Sequence, residues 1–97
     1  MSSGRSERRI AKAVSVEVWL HDALITRKAT LTENVSAQGA RVLLEQSLLP
    51  GQQVLFDAAK EGVRSEARIV YCRRVNDRKF AVGLEFSKRV EEWARPY

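Results

Sequence analysis

The stretch VRSEARIVYCRRVNDRKFAVGLEF, residues 63 to 86, has the clearest pattern in this sequence and decides the fold. Small or apolar residues recur at almost every second position from Val63 to Tyr71 and again from Phe80 to Phe86. This alternation is typical of half-buried strands. Between the two runs, residues 75 to 78 (VNDR) have the composition of a turn. The stretch therefore predicts a β-hairpin.

Four further short strands are predicted before this hairpin. Their apolar positions are Val14 to Leu20, a weaker series over residues 24 to 32, Ala40 to Leu44, and Val54 to Phe56. The segment ENVSAQGA, residues 33 to 40, is expected to be a loop, and Pro50-Gly51 a turn. Six short antiparallel strands in 97 residues predict an all-β fold, a small barrel, because closure removes the exposed edges of an open sheet.

The last residues change character and predict a C-terminal α-helix over about residues 87 to 95. Ser87 would cap the helix, and its inner face would carry Val90, Trp93 and Ala94. We expect Trp93 to anchor this helix against the barrel. The predicted organisation is one domain, with a flexible basic segment over residues 1 to 12 and the barrel with its helix over residues 13 to 97.

The basic residues are concentrated at the beginning of the chain. The net charge is +5, and residues 1 to 12 hold four basic residues and one acidic residue, a sum of +3. This asymmetry indicates an anionic partner for the N-terminal segment. No window approaches the ~18 uninterrupted apolar residues of a membrane span, and no signal-peptide core follows the basic residues, so we expect a cytoplasmic protein without membrane insertion.

The sequence offers little that catalysis or metal binding would need. The single histidine, His21, lies in a predicted turn without a nearby nucleophile, and the single cysteine, Cys72, is expected to be an unreactive strand thiol. One Cys and one His do not make the usual zinc ligand set, and no phosphate-binding glycine loop is present. We therefore expect a protein that is not an enzyme and holds no metal or cofactor.

Two short motifs remain. Arg5-Ser6-Glu7-Arg8-Arg9 has RxxxR spacing, and residues 34 to 39 (NVSAQG) have NxSxxG spacing, with Arg9 and Asn34 25 positions apart. By itself, either motif is weak, and the second alone is more simply a turn. Together, and in this order before and after the first strands, they resemble the PilZ domain family of bacterial receptors for the second messenger cyclic di-GMP. The strand VGLEF, residues 82 to 86, and a C-terminal helix also fit that family.

The resemblance implies the ligand and the residues that bind it. Cyclic di-GMP carries two phosphates and two guanines. The O6 and N7 acceptors of guanine can pair with two N–H groups of one arginine side chain, and a guanidinium can also stack on the purine ring. The family pattern assigns these roles to Arg5 and Arg9. It assigns Asn34 and Ser36 to hydrogen bonds with guanine or phosphate, and Gly39 to tight turning and close approach.

The register of the arginines and the number of ligands stay open. Arg8 is a possible additional ligand residue, and a shifted pair, Arg8 with Lys12, would replace one guanidinium by an ammonium that neither forks nor stacks as well. We prefer Arg5 with Arg9, because Arg9 leads directly into the first strand as in the family. The flanking residues influence whether one ligand molecule or an intercalated pair is bound.

The resulting hypothesis is a cyclic di-GMP receptor whose N-terminal arginine segment becomes ordered over the barrel when the ligand binds. The changed surface would then be read by a downstream protein partner, which the sequence does not identify. A barrel of the same fold without a ligand, acting as a protein adaptor, is the main alternative. A small nucleic-acid-binding barrel is the third, but the aromatic residues are not interleaved with basic residues on one face.

Overall fold

Six antiparallel strands close into a barrel, as the alternation predicts. The computed structural model describes residues 10 to 21 and 25 to 93. The strands are β1 (Ser15–His21), β2 (Ile25–Val35), β3 (Gly39–Leu44), β4 (Gln53–Ala58), β5 (Val63–Arg74) and β6 (Phe80–Phe86). Their order around the barrel is β1-β2-β3-β6-β5-β4, and β1 pairs with β4 to close it. Single 3₁₀ turns follow β4 at Ala59–Glu61 and β6 at Glu91–Trp93.

The barrel interior is filled by the side chains at every second strand position, which point inward. Val18 and Leu20 of β1, Val42 of β3 and Val82 of β6 are each fully buried. One end of this core is closed by three aromatic rings. Phe56 lies 5.0 Å from Phe86 between ring centroids, and both rings lie 5.9 Å from the ring of Trp93. Trp93 is 2% exposed, so its predicted packing against the barrel is confirmed, although the helix that it was expected to anchor is not.

A β-bulge in β5 changes the face of the residues that follow it. The pairing with β6 shifts between Ile69 and Tyr71, so that Ile69 points into the core while Tyr71 pairs with Gly83 on the outer face. The ring of Tyr71 lies so close to Gly83 that a Cβ there would collide with it. The alternation predicted from Val63 to Tyr71 is therefore wrong at Tyr71. A bulge inserts one extra residue, and the residues after it point to the opposite face.

The predicted loop over residues 33 to 40 is much shorter in the structure. Strand β2 continues to Val35 and β3 begins at Gly39, which leaves only three connecting residues, 36 to 38. The polar composition of this segment suggested a loop, but its backbone pairs with β3, and Val35 is fully buried. Asn34 consequently belongs to a strand and not to a loop.

The predicted C-terminal helix is not confirmed. Between residues 87 and 93 the chain forms only the 3₁₀ turn Glu91–Trp93, and residues 94 and 95 lie outside the described residues. Ser87 does not cap a helix, because its backbone N–H and its hydroxyl both donate to the carbonyl oxygen of Glu66, at 2.9 and 3.1 Å. The backbone N–H of Val90 donates to the Ala37 carbonyl oxygen at 2.7 Å. Ser87 and Val90 therefore bond to the barrel, and the Trp93 N–H donates to the Val90 carbonyl oxygen at 3.1 Å in the single 3₁₀ turn.

Removing the Trp93 ring should be among the most costly single changes in the core. We expect Trp93→Ala to lower the free energy of unfolding by about 3 to 5 kcal/mol, because it empties the space between Phe56 and Phe86. Trp19→Ala is the control, since Trp19 is only half-buried and its Nε1 has no hydrogen-bond partner among the described residues. Urea denaturation monitored by circular dichroism measures both. A loss for Trp93→Ala no larger than that for Trp19→Ala would contradict this packing role.

Candidate functional site

The segment that follows the arginine motif is hydrogen-bonded to the strand that carries Asn34. The backbone N–H of Ile10 donates to the Val35 carbonyl oxygen at 2.8 Å, and the Val35 N–H donates to the Ile10 carbonyl oxygen at 3.0 Å. Ile10 also packs against the core. This bridge holds Ile10, the first residue after the RxxxR motif in the sequence, beside Val35 of the NxSxxG motif. Arg5, Arg8 and Arg9 themselves lie outside the described residues.

Thr32 fixes the next part of the same segment. Its hydroxyl donates to the Lys12 carbonyl oxygen at 2.6 Å and accepts from the Val14 N–H at 2.9 Å. The Thr32 N–H donates to the Val14 carbonyl oxygen at 3.0 Å, and the side chain is 3% exposed. Residues 10 to 12, which were predicted to belong to the flexible segment, are thus held on β2. Sequence reasoning missed Thr32, because a threonine in a strand is ordinary and its partners are distant in sequence.

A β-bulge in β2 determines where Asn34 lies. The pairing with β3 shifts between Thr32 and Asn34, and Asn34 pairs with Arg41. Arg41 alternates with the buried Ala40 and Val42, so Asn34 shares its outward face. Without the bulge, Asn34 would follow the inward phase of Thr32. The sequence signal for this reversal is weak, since nothing distinguishes Glu33 from an ordinary exposed strand residue.

A row of outward positions extends from Asn34 across the barrel. Asn34 pairs with Arg41, Arg41 with Gly83, and Gly83 with Tyr71, on four neighbouring strands. The Arg41 Nε donates to a Glu33 carboxylate oxygen at 2.7 Å, which holds this guanidinium beside Asn34. The outer surface next to the NxSxxG motif therefore offers an amide, a guanidinium and an aromatic ring.

Ser36 and Gly39 shape the turn between β2 and β3. The Ser36 hydroxyl oxygen accepts from the N–H groups of Gln38 and Gly39, both at 3.2 Å, and the Ser36 N–H donates to the Gly39 carbonyl oxygen at 2.8 Å. Ser36 is only 4% exposed. A Cβ on Gly39 would collide with the Leu84 carbonyl oxygen of β6. Gly39 is therefore needed for the close approach of this turn to β6.

The same turn also contacts the C-terminal segment. The Phe86 N–H donates to the Gln38 carbonyl oxygen and the Val90 N–H to the Ala37 carbonyl oxygen, each at 2.7 Å. The carbonyl groups of the turn are therefore used to attach residues 86 to 90.

Glu61 joins the N-terminal and C-terminal segments at this end of the barrel. Its Oε1 accepts from Lys12 Nζ at 3.1 Å and from Trp93 Nε1 at 3.3 Å. The hydrogen bond from Lys12 is the largest influence that lowers the pKa of Glu61. The hydrogen bond from Trp93 also lowers it, desolvation raises it by less than either hydrogen bond lowers it, and the charge of Lys12 lowers it slightly further. The sequence did not indicate this connection, because its members are far apart along the chain.

The described residues contain no cluster of metal-ligating side chains, and they include one free cysteine. Among residues 10 to 21 and 25 to 93, no group of three or more His, Cys, Asp or Glu could hold a metal ion. Cys72 is a free, half-buried thiol that packs on the core, and its Sγ accepts from the Leu48 N–H at 3.4 Å. In the same part of the chain, no helix is long and apolar enough to cross a membrane.

Comparison with known proteins points to one family. The model of the PilZ domain matches residues 3 to 94. The solved structure of the Bacillus subtilis inhibitor of motility MotI/DgrA superposes with a TM-score of 0.77 at 18% sequence identity, over 96% of this chain and 49% of that one. The chain thus spans about half the length of that protein, and the likeness concerns the fold. A search of curated protein sequences found no match.

Replacing Thr32 should loosen the attachment of residues 12 to 14 to β2. We expect Thr32→Val to lower the free energy of unfolding by about 1 to 3 kcal/mol, because buried partners lose their hydrogen bonds while the volume is kept. The Val14 amide should also exchange its hydrogen faster, as measured by NMR. Thr32→Ser keeps the hydroxyl and is the control. Unchanged protection of Val14 in Thr32→Val would contradict this role.

The Glu61 junction predicts a pH-dependent stability. Because the pKa of Glu61 is lowered in the folded state from its ordinary value of 4.5, its stabilisation is present above that pH and is lost as the pH falls through the folded pKa. Urea denaturation should show the wild type more stable than Glu61→Gln at pH 7, with the difference shrinking in acid. Glu66→Gln, at an exposed residue without an ion pair among the described residues, should show no comparable loss at pH 7. A difference that stayed constant from pH 7 to pH 3 would refute the junction.

Proposed function

Because this chain belongs to the PilZ domain family, we propose that it is a receptor for cyclic di-GMP and not an enzyme. The observation that carries the proposal is the Ile10 to Val35 bridge, which joins the chain directly after the RxxxR motif to the strand directly before Ser36. Arg9 and Asn34 are 25 positions apart in sequence, and Ile10, which follows Arg9, is joined to Val35, which follows Asn34, by a pair of backbone hydrogen bonds. A ligand that needs groups from both motifs would find them at one place.

In this proposal, Arg5 and Arg9 provide the main cationic contacts. Each guanidinium pairs with the O6 and N7 edge of a guanine or stacks on its face, and either also neutralises a phosphate. Asn34 contributes an amide from the outer face of β2. Lys12 is already engaged by Glu61, and its carbonyl oxygen by Thr32, which favours the Arg5 and Arg9 register over the pair Arg8 with Lys12. Arg8 then has a supporting role.

Ser36 and Gly39 contribute in two ways. They hold the turn that fixes the end of β2, and with it the place of Asn34. The Ser36 hydroxyl oxygen accepts from two backbone N–H groups, and as a donor it has only a long hydrogen bond, with 3.5 Å from its Oγ to the Gly39 carbonyl oxygen. The hydroxyl proton would donate to a guanine or phosphate oxygen of the ligand. The close approach at Gly39 keeps the turn in contact with β6.

Binding would produce its signal by ordering the N-terminal arginine segment across the barrel. Residues 10 to 14 supply a fixed base from which this segment closes over the ligand. The surface formed by the closed segment and the barrel would differ from the open one, and a downstream protein partner would read the difference. The receptor needs no cofactor in this scheme.

An adaptor without a ligand is the second candidate. It is favoured by the burial of Ser36 at 4% exposure and by the use of its hydroxyl oxygen inside the turn, since both fit a purely structural role for the motif. In that case the barrel would act by protein contacts alone, and the arginines would have no guanine to bind.

Isothermal titration calorimetry with cyclic di-GMP tests the proposal. We expect binding by the wild type, and Arg5→Ala or Arg9→Ala should each weaken it by roughly 10- to 150-fold, the equivalent of about 1.5 to 3 kcal/mol for a charged hydrogen-bond pair. Asn34→Ala and Ser36→Ala should also weaken it. Arg64→Ala, which removes an exposed arginine of β5 without an ion pair among the described residues, is the control.

Cyclic di-AMP separates guanine recognition from charge. Adenine presents an amino donor where guanine has O6, so an arginine fork finds no matching pair and affinity should fall sharply. Absence of heat with cyclic di-GMP would favour the adaptor. Binding that survives Arg5→Ala and Arg9→Ala but is lost in Arg8→Ala and Lys12→Ala would overturn the register.

A further inference from the structure

The hairpin between β5 and β6 carries the positive charge of the described barrel. Residues 10 to 21 and 25 to 93 contain thirteen basic and ten acidic residues, an excess of three. Residues 73 to 79 (RRVNDRK) alone contain four basic residues and one acidic residue, which is also an excess of three. The rest of the described barrel is therefore neutral, and the excess sits on one hairpin.

Three arginines of this hairpin lack carboxylate partners among the described residues. The ion pairs there are Lys12–Glu61, Arg27–Glu17, Arg41–Glu33, Arg68–Glu85, Lys79–Glu45 and Arg89–Glu91. None includes Arg73, Arg74 or Arg78. Two of these guanidinium groups are instead placed by aromatic rings, Arg73 at 5.2 Å from the Tyr71 ring centroid and Arg74 at 5.6 Å from that of Phe80. A stacked guanidinium keeps its N–H groups free for an anion in the plane of the fork.

The tip that joins the strands is held in shape by its own hydrogen bonds. The Asn76 Oδ1 accepts from the N–H groups of Arg78 and Lys79, at 2.9 and 3.0 Å, and the Val75 N–H donates to the Lys79 carbonyl oxygen at 2.9 Å. A preformed tip lowers the entropy lost when a partner binds.

Exposed aliphatic side chains accompany these arginines. Leu49, Val70 and Val75 are 73%, 49% and 53% exposed, and they are three of the four exposed large apolar side chains among the described residues. Leu49 belongs to the loop between β3 and β4, which runs beside β5. In that loop, Gly51 N–H donates to the Ile69 carbonyl oxygen at 2.7 Å. Apolar and arginine side chains thus occur together from this loop to the hairpin tip, with Arg73 on the outer face over Tyr71 and Arg74 on the opposite face over Phe80.

The tip lies away from the turn that carries the NxSxxG motif. That turn meets the far end of the same strand pair, where Gly39 pairs with Glu85 and Ala67 pairs with Phe86. The length of β6, from Phe80 to Phe86, separates the two ends by about 20 Å at ~3.3 Å per residue. A partner at the tip would leave the turn accessible, while Arg73, which lies over the Tyr71 ring, is where the docking surface adjoins the outer row that starts at Asn34.

We propose that the β5–β6 hairpin, with Leu49 and Val70 beside it, is a docking surface for an acidic segment of a partner protein that also carries aliphatic side chains. Carboxylates of that segment would bind the forks of Arg73, Arg74 and Arg78, and its aliphatic side chains would cover Val75 and Leu49. Nucleic acid would use the arginines but leave the aliphatic side chains in water. A lipid surface usually engages tryptophan, phenylalanine or several leucines, and the tip offers one valine.

NMR titration of the full chain tests this surface directly. The probe is a capped synthetic peptide in which glutamates alternate with leucines, added at low salt. Amide shifts should change at residues 70 to 79 and at Leu49. The double variant Arg73→Glu/Arg78→Glu should bind at least about 10-fold more weakly. The control Lys60→Glu/Arg64→Glu has the same net charge at exposed positions elsewhere on the barrel and should stay within about twofold of the wild type.

Three results would overturn the proposal. The first is an equal loss of affinity in the control, which would mean that the peptide responds to net charge alone. The second is a set of shifted amides away from the hairpin. The third is tighter binding of phosphatidylglycerol vesicles or single-stranded DNA than of the peptide, with the same dependence on Arg73 and Arg78. Circular dichroism melting of both variants confirms that each is folded, and Val75→Ser, which keeps every charge, tests the apolar part separately.

Discussion

Closure of the sheet between β1 and β4 is the constraint on which the rest of the molecule depends. Residues Glu17 to Leu20 pair with Asp57 to Val54, so that every strand has two neighbours and no long edge is exposed. In a closed barrel of this size the interior holds only side chains, and function must be built on the outer surface or at the ends. Closure also brings the 3₁₀ turn after β4 close to both termini of the described chain, where Glu61 accepts from Lys12 and Trp93.

Irregularities in the strand pairing determine which side chains lie on the outer surface. The bulge in β2 turns Asn34 outward, and the bulge in β5 does the same for Tyr71. Two glycines then allow close contact: Gly39 with the backbone of β6, and Gly83 with the Tyr71 ring. A barrel with uninterrupted alternation would place different residues on the surface, so these local irregularities position the proposed recognition groups.

The proposed receptor surface and the proposed docking surface adjoin at Tyr71, whose ring contacts Arg73, and extend from there toward opposite ends of the β5–β6 pair. The NxSxxG turn lies at one end of the β5–β6 pair and the arginine-rich tip at the other, and the strands between them are continuous. The two positively charged regions also differ in character. The N-terminal arginines belong to a motif shared with a family, whereas Arg73, Arg74 and Arg78 are recognised by their lack of carboxylate partners and by the aliphatic side chains near them.

By itself, the sequence determined the fold class, the six strands, the buried role of Trp93 and the family. These features depend on alternation, on composition and on short motifs, all of which are local. The tertiary structure alone decided that Asn34 lies in a strand, that Thr32 holds residues 12 to 14, and that residues 87 to 90 bond to the barrel instead of starting a helix. The physical reason is common to all three. Backbone and hydroxyl groups bond to whichever partner the closed barrel brings within about 3 Å, and that partner is usually distant in sequence.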